Sequence, residues 1–230
     1  MSGFSGFGKD ALPFFKALGF HQSKEWFDAN RALYESDVKA PFGLLVEDLS
    51  ARLASAKVPL KGDAKRSLFR LNRDVRFSNN KEPYKTNAGA VLTRSGMKND
   101  PGLLYIHLDP EGCFAATGFY RPEPPLLDAI RKKMARDPAG YRKLTAALAK
   151  GGLAFSDMDG TLTRMPRGYE ELKDSPVADG IRRKSFVVRH DLKDREMGSA
   201  KLVDTILDFA KRSMPLLRYG WEAAGTEPRE

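Results

Sequence analysis

The chain has 230 residues, 41% of them hydrophobic, with 39 lysines and arginines against 30 aspartates and glutamates, a net charge of +9. That apolar fraction excludes a disordered chain, and the single cysteine excludes an internal disulfide framework. No apolar run approaches the ~20 residues of a membrane-spanning helix, and Met1 to Lys9 lacks the pattern of a secretory signal, so the expectation is a soluble cytoplasmic protein whose basic excess favours anionic partners.

Helical spacing of Leu12, Phe15 and Leu18 predicts a first helix over 9–19. A second is predicted over 24–38 with Trp26, Phe27 and Leu33, capped by Ser23. Pro41 opens a third, whose stripe is Phe42, Leu45, Val46, Leu49 and Leu53. From 67 to 77 the period becomes two: Phe69, Leu71, Arg73, Val75 and Phe77 fall on one face, and Arg70, Asn72, Asp74 and Arg76 on the other. Strands are also expected at 88–94, 103–109 and 112–120, the last two joined by the turn Asp109-Pro110-Glu111-Gly112. Pro124 and Pro125 open a helix to Arg136, and Pro138 another that Gly151-Gly152 ends. A hairpin over 153–164, a strand near 185–190 and a helix over Ser199–Met214 complete the reading, with a frayed tail from Gly225. Helices first, then a run of strands, then mixed elements predict an α+β fold: a largely antiparallel sheet packed with N-terminal, central and C-terminal helices. With no repeat or linker, residues 1–230 are expected to form one domain with an ordered core over about 9–220.

Several motifs look chemical and do not hold. Gly3 to Lys9 has the spacing of a phosphate loop, but Asp10 stands where Ser or Thr should hold magnesium, and no strand precedes it. A flexible N-terminal tail is the simpler reading. Asp157-Met158-Asp159-Gly160-Thr161 resembles the nucleophile motif of the haloacid-dehalogenase phosphatases. Only 34 positions separate Asp157 from Asp191, however, and one βαβ crossover takes about 30 residues. Asp159-Gly160 between Phe155 and Leu162 reads instead as a hairpin turn. His21, His107 and His190 show no metal-ligand spacing. His107 alternates with Ile106 and Leu108 and faces outward, while Cys113 reads as a buried, inert thiol.

The positive charge is concentrated. Residues 61–100 carry ten basic and four acidic residues, and 121–150 carry eight and three. The second block is an amphipathic helix surface. The first holds Arg70, Arg73 and Arg76 on a strand, followed by a loop with Lys81, Tyr84, Lys85 and Asn87. Asp74 between the arginines would orient their guanidinium forks by charge-assisted bonds. Arg73, on the apolar face, needs a buried partner or a cleft. Arginines and lysines on a Pro83-restricted loop suit a phosphate or carboxylate. The same pattern also suits a structural Arg–Asp network with no ligand.

Arg70-x-x-Arg73-Asp74-x-Arg76-Phe77-x-x-x-Lys81-x-Pro83-Tyr84-Lys85-Thr86-Asn87 resembles the signature of a mainly bacterial family, domain of unknown function 2461. Lys24-Glu25-Trp26-Phe27 with Arg31 and Tyr34-Glu35 is similar to its N-terminal helix motif. Gly118-Phe119-Tyr120-Arg121-Pro122, Ile130-Arg131 and Leu162-x-Arg164-x-Pro166-x-Gly168-Tyr169 resemble later segments. Where members carry an asparagine or similar amide before Lys24, this chain has His21-Gln22-Ser23. The resemblance implies a single domain and no established activity. Because Arg164 and Arg167 are the other arginines in family-like segments, they are expected to approach the Arg70–Asn87 motif.

Three functions fit these residues. The first is a ligand-binding protein or enzyme holding a small phosphorylated or carboxylated molecule on Arg70, Arg73, Arg76, Lys81 and Lys85, oriented by Tyr84 and Asn87. The second is a nucleic-acid-binding module, allowed by a pI of about 9.6. The third is a non-catalytic interaction protein in which the motif is architectural. No metal site and no membrane partner are expected, and the residues name no cofactor.

Overall fold

In the computed structural model, which describes residues 3–76 and 79–226, the apolar stripes become helices at the expected places. α1 (Ala11–Phe20) buries Phe14, Phe15 and Leu18, and α2 (Lys24–Leu33) starts where Ser23 Oγ accepts the Trp26 N–H at 3.2 Å. A six-residue π-helical turn, Tyr34–Lys39, joins α2 to α3 (Ala40–Ser55). It brings Asp37 to the N-terminal segment, whose Gly8 N–H donates to the Asp37 carbonyl and Asp10 N–H to its carboxylate. That segment is a packed part of the fold, not the flexible tail expected. Phe4 and Phe7 are buried edge to face, Phe7 also against Phe42, and the Phe7 N–H donates to the Met197 carbonyl.

The sheet is antiparallel, in the order β1-β2-β3-β4. Its strands are β1 (Ala88–Thr93), β2 (Leu103–Leu108), β3 (Cys113–Phe119) and β4 (Phe186–Leu192). The predicted turn joins β2 to β3, with Gly112 N–H donating to the Asp109 carbonyl at 3.1 Å. Between β3 and β4 come α4 (Pro124–Arg136), α5 (Pro138–Lys150), a 3₁₀ turn (Glu170–Leu172) and α6 (Ala178–Arg182). After β4 come α7 (Asp194–Met197) and α8 (Leu202–Ala223). Helices thus stand before, within and after an antiparallel sheet, the α+β arrangement expected. No helix among the described residues is long and apolar enough to cross a membrane.

Three further expectations change. The 67–77 strand is an irregular ribbon beside β1, attached by bridges Leu68↔Ala90 and Asn72↔Tyr84; Phe77 lies outside the described residues. The 153–164 hairpin does not close on itself. Phe155 pairs with Val188 in β4 and Thr161 with Arg183 in the segment leading into it, so the two arms lie along β4 and that segment, and Asp157–Gly160 turns out between them. Each outer strand therefore has its free edge occupied by a neighbouring segment, which guards against edge pairing. α8 runs through Pro215 for 22 residues instead of stopping at Met214, because buried Ile206, Phe209, Leu216, Leu217 and Trp221 anchor it on both sides of the proline.

The chain packs as two compact units. One comprises residues 1–100, 104–115 and 191–209, the other 101–103, 116–190 and 210–230, so β3 and β4 supply residues to both. The core of the first includes Phe15, Leu18, Phe42, Leu45, Leu49, Leu92 and Leu104; that of the second includes Phe119, Ile130, Met134, Phe186 and Trp221.

Candidate functional site

The Arg70–Asn87 motif lies in the first unit. Its two arms are held as a ladder: Phe69 N–H donates to Gly89 O, Lys85 N–H to Leu71 O and Arg73 N–H to Pro83 O, at 2.8 to 2.9 Å. The arms are anchored from α2, where Tyr84 is buried and stacks on Phe27 at 4.9 Å. Tyr84 N–H donates to Gln22 Oε1 at 3.1 Å, so the amide of the His21-Gln22-Ser23 loop pins the motif.

Within this frame much of the predicted set is occupied in holding the loop. Asp74 accepts a two-pronged pair of bonds from Arg76, at 3.0 and 2.7 Å, and lies 3.8 Å from Arg70. The Arg76 bonds hold its carboxyl below the usual aspartate range. Arg73, with 27% of its side chain exposed, donates Nη2 to the Tyr84 carbonyl at 3.2 Å and stands 3.8 Å from Glu82. Its Nε is buried without a hydrogen-bond partner. The partner required by Arg73's place on the inner face is thus a backbone carbonyl. Lys81 Nζ donates to Val75 O at 2.9 Å, and Asn87 is half-buried just before β1.

Arg70 and Arg76 are 70% and 75% exposed, Lys81 is exposed and Lys85 half-buried; Arg70 and Lys85 are joined by two residues that sequence reasoning missed. Phe69, placed by alternation on the apolar face, is 39% exposed, because the irregular ribbon does not keep a strict period of two. Lys98, from the β1–β2 connection, comes to the same ring. Lys98 Nζ lies 5.1 Å and Lys85 Nζ 5.7 Å from the Phe69 centroid, within cation–π range. Each ammonium donates to a carbonyl, Lys85 to Arg70 O at 3.2 Å and Lys98 to Leu68 O. Among the described residues neither is paired with a carboxylate. Burial lowers the affinity of both for their protons, and Arg70, Arg73 and Lys98 add repulsion at Lys85. The clue to Lys98 was its charge within the 61–100 block; nothing in local spacing linked it to residue 69.

Arg164 and Arg167 belong to the second unit, both exposed on the loop before Tyr169. In the second unit, family-like residues tie segments together. Arg131 donates to the carbonyls of Ile181 and Arg183 at 2.8 and 3.0 Å, and the Tyr169 hydroxyl donates to Asp128 at 3.0 Å. Asp159 accepts from Arg121 at 2.7 Å and from the Ser185 hydroxyl at 2.8 Å. Exposed Asp157 lies 3.4 Å from Arg183. The two aspartates that mimic a phosphatase motif are therefore ion-pair partners on a turn, not acids at the end of a parallel strand. Two grooves of the unit, about 320 and 330 Å3, run along α4, α5 and α8 and include none of the predicted site residues. Cys113 is buried, and burial pushes its thiol up.

The model of the family described as conserved hypothetical protein (DUF2461) matches residues 10–219. The chain belongs to the DUF2461 family. The match takes in the Arg70–Asn87 motif and Lys98, so the cation cluster lies inside the DUF2461 region. Comparison with curated proteins and with solved structures finds no match.

Proposed function

We propose that this DUF2461 protein binds a small anion, a phosphate or carboxylate carrying a flat apolar group, between Lys85 and Lys98 and over Phe69, with Arg70 alongside. The observation that carries this reading is the pair of ammonium groups beside one exposed ring, neither paired with a carboxylate among the described residues. Both lysines hold their charge less readily than in water, so an incoming anion relieves a cost already present in the folded chain. The ring supplies an apolar floor, and the ladder of backbone bonds holds it in place. Arg73, Lys81 and the Asp74–Arg76 pair support the loop, which absorbs the architectural reading into this one without exhausting the cations.

The test is thermal melting with added phosphate, pyrophosphate and benzoate. Saturable stabilisation is expected, with apparent affinity lowered about tenfold by either Lys98→Met or Lys85→Met, the scale of one lost charge-assisted contact. Phe69→Ala should weaken benzoate and spare phosphate. Arg73→Ala should lower the melting temperature yet keep the ligand-induced rise. Binding should fade as pH climbs through the lowered lysine values, because the neutral amine gives up its hold on the anion. Equal responses in wild type and both lysine variants would refute the proposal.

A further inference from the structure

On the half-buried side of β2, Tyr105 and His107 are two residues apart and share a face. Tyr105 Oη lies 2.8 Å from His107 Nδ1, and His107 Nε2 lies 3.4 Å from Asp109 Oδ2. The Glu111 N–H fixes the other Asp109 oxygen at 2.8 Å. Phe114 lies 4.6 Å from the imidazole, centroid to centroid, and steadies it. A carboxylate 3.4 Å from Nε2 favours the tautomer with the ring proton there, in which the Nδ1 lone pair accepts from the tyrosine hydroxyl. Hydroxyl, imidazole and carboxylate in line make the nucleophile, base and orienting group of covalent catalysis, recognised by geometry and not by chain order. Burial, with Asp109's charge, pushes the Tyr105 phenol up to about 12, so it rests protonated and needs a base in contact to react.

The ring is placed by absence of a side chain opposite. A Cβ on Gly89 would lie 2.7 Å from Tyr105 Oη. The Tyr105 centroid is 6.2 Å from that of Phe69, the ring between Lys85 and Lys98. We infer that Tyr105 is a nucleophile, with His107 as its base and Asp109 as a positioning residue, acting on an acyl or phosphoryl ester whose anionic end is held by Lys85 and Lys98. The anion-holding part rests on the function proposed above; the nucleophile does not. In the step, Oη bonds to the acyl carbon or phosphorus while the phenolic proton passes to Nδ1. The bond to the leaving oxygen breaks with its electron pair, and Nδ1 returns the proton to that oxygen. Water then hydrolyses the tyrosyl ester, giving its proton to Nδ1 as it attacks, and the phenol is restored.

Two sulfonyl fluorides separate the parts. Oη attack forms an O–S bond and expels fluoride, leaving a mass tag on the tyrosine. With neutral benzenesulfonyl fluoride, peptide mass mapping should find Tyr105 tagged faster than Tyr120, which is 54% exposed. His107→Gln should slow tagging of Tyr105 at least tenfold and leave Tyr120 unchanged, which also reports that the variant is folded. Asp109→Asn should slow it severalfold and supplies the same comparison where the histidine variant misfolds. Tyr105 tagged no faster than Tyr120, or unaffected by both substitutions, overturns the nucleophile. With 4-(fluorosulfonyl)benzoate, Tyr105 should react faster still, and Lys98→Met should erase that advantage. Histidine-dependent tagging with no carboxylate advantage would uphold the nucleophile and sink the anion site.

Discussion

Single residues carry the clearest division of labour, and Asp159 illustrates it. Its carboxylate accepts from Arg121 and Ser185, and the Arg121 bond, then that of Ser185, holds it below the ordinary aspartate value of 3.8. A carboxyl whose folded pKa is depressed adds stability that is complete above the unfolded value and is lost as pH falls through the folded one. Asp159→Asn is therefore expected to lower the melting temperature at pH 7, and the gap from wild type should close below pH 3.8. A gap that stays constant down to pH 2 would contradict the pairing. Arg121 itself sits at φ 41, a left-handed conformation that is costly away from glycine, and the Asp159 bond helps to hold it there. In sequence these two residues stood in separate motifs 38 positions apart; their meeting depends on the 153–164 arms pairing with β4 and with the segment leading into it, which no local pattern announces.

Elements were legible where a periodic stripe met a strong start or stop signal. The Pro124 and Pro138 helices end where basic and glycine signals place them, and the first three strands match within a residue or two. Irregular ribbons were not legible: 67–73 and 155–161 are joined to the sheet by single bridges, so their side chains follow their neighbours and not a period. Hence Phe69 was assigned to the wrong face and the Asp-Gly turn to a closed hairpin. Long-range close approach is similarly hidden. Gly118 in β3 sits at φ 138, and a Cβ there would meet the Phe186 carbonyl oxygen at 2.0 Å. Gly118→Ala must strain the backbone and push β4 away, at a cost of at least ~2 kcal/mol. For a chain of this length that corresponds to a fall of about 4–8 °C in melting temperature, readable by circular dichroism. A shift under 1 °C would mean that the strands separate more easily than their packing implies.

At the scale of the whole chain the question is what a net charge of +9 does. Spread over the surface, it attracts any polyanion weakly and with steep salt dependence, since each neutralised phosphate of a single strand contributes ~0.7 to the slope of log affinity against log salt. Ion pairing leaves that net charge unchanged but engages individual cations that a polyanion would otherwise meet: Arg52 with Asp204, Arg66 with Asp63, Arg76 with Asp74, Arg121 with Asp159 and Lys133 with Glu222. The aromatics nearest the cation cluster also fit a small ligand better than a strand of bases. Among the described residues there, only Phe69 presents an exposed ring, while Phe114 is buried behind His107, whereas single-strand binders stack successive bases on several open rings. Fluorescence anisotropy of a labelled single-stranded oligonucleotide, titrated between 50 and 200 mM salt, should therefore find only weak binding that collapses as salt rises. Its slope should be the same in wild type and in the Lys85→Met, Lys98→Met double variant. A slope shallower by about 1.4 in the double variant, two phosphate contacts' worth, would instead place a nucleic-acid backbone on those lysines and displace the small anion as their ligand.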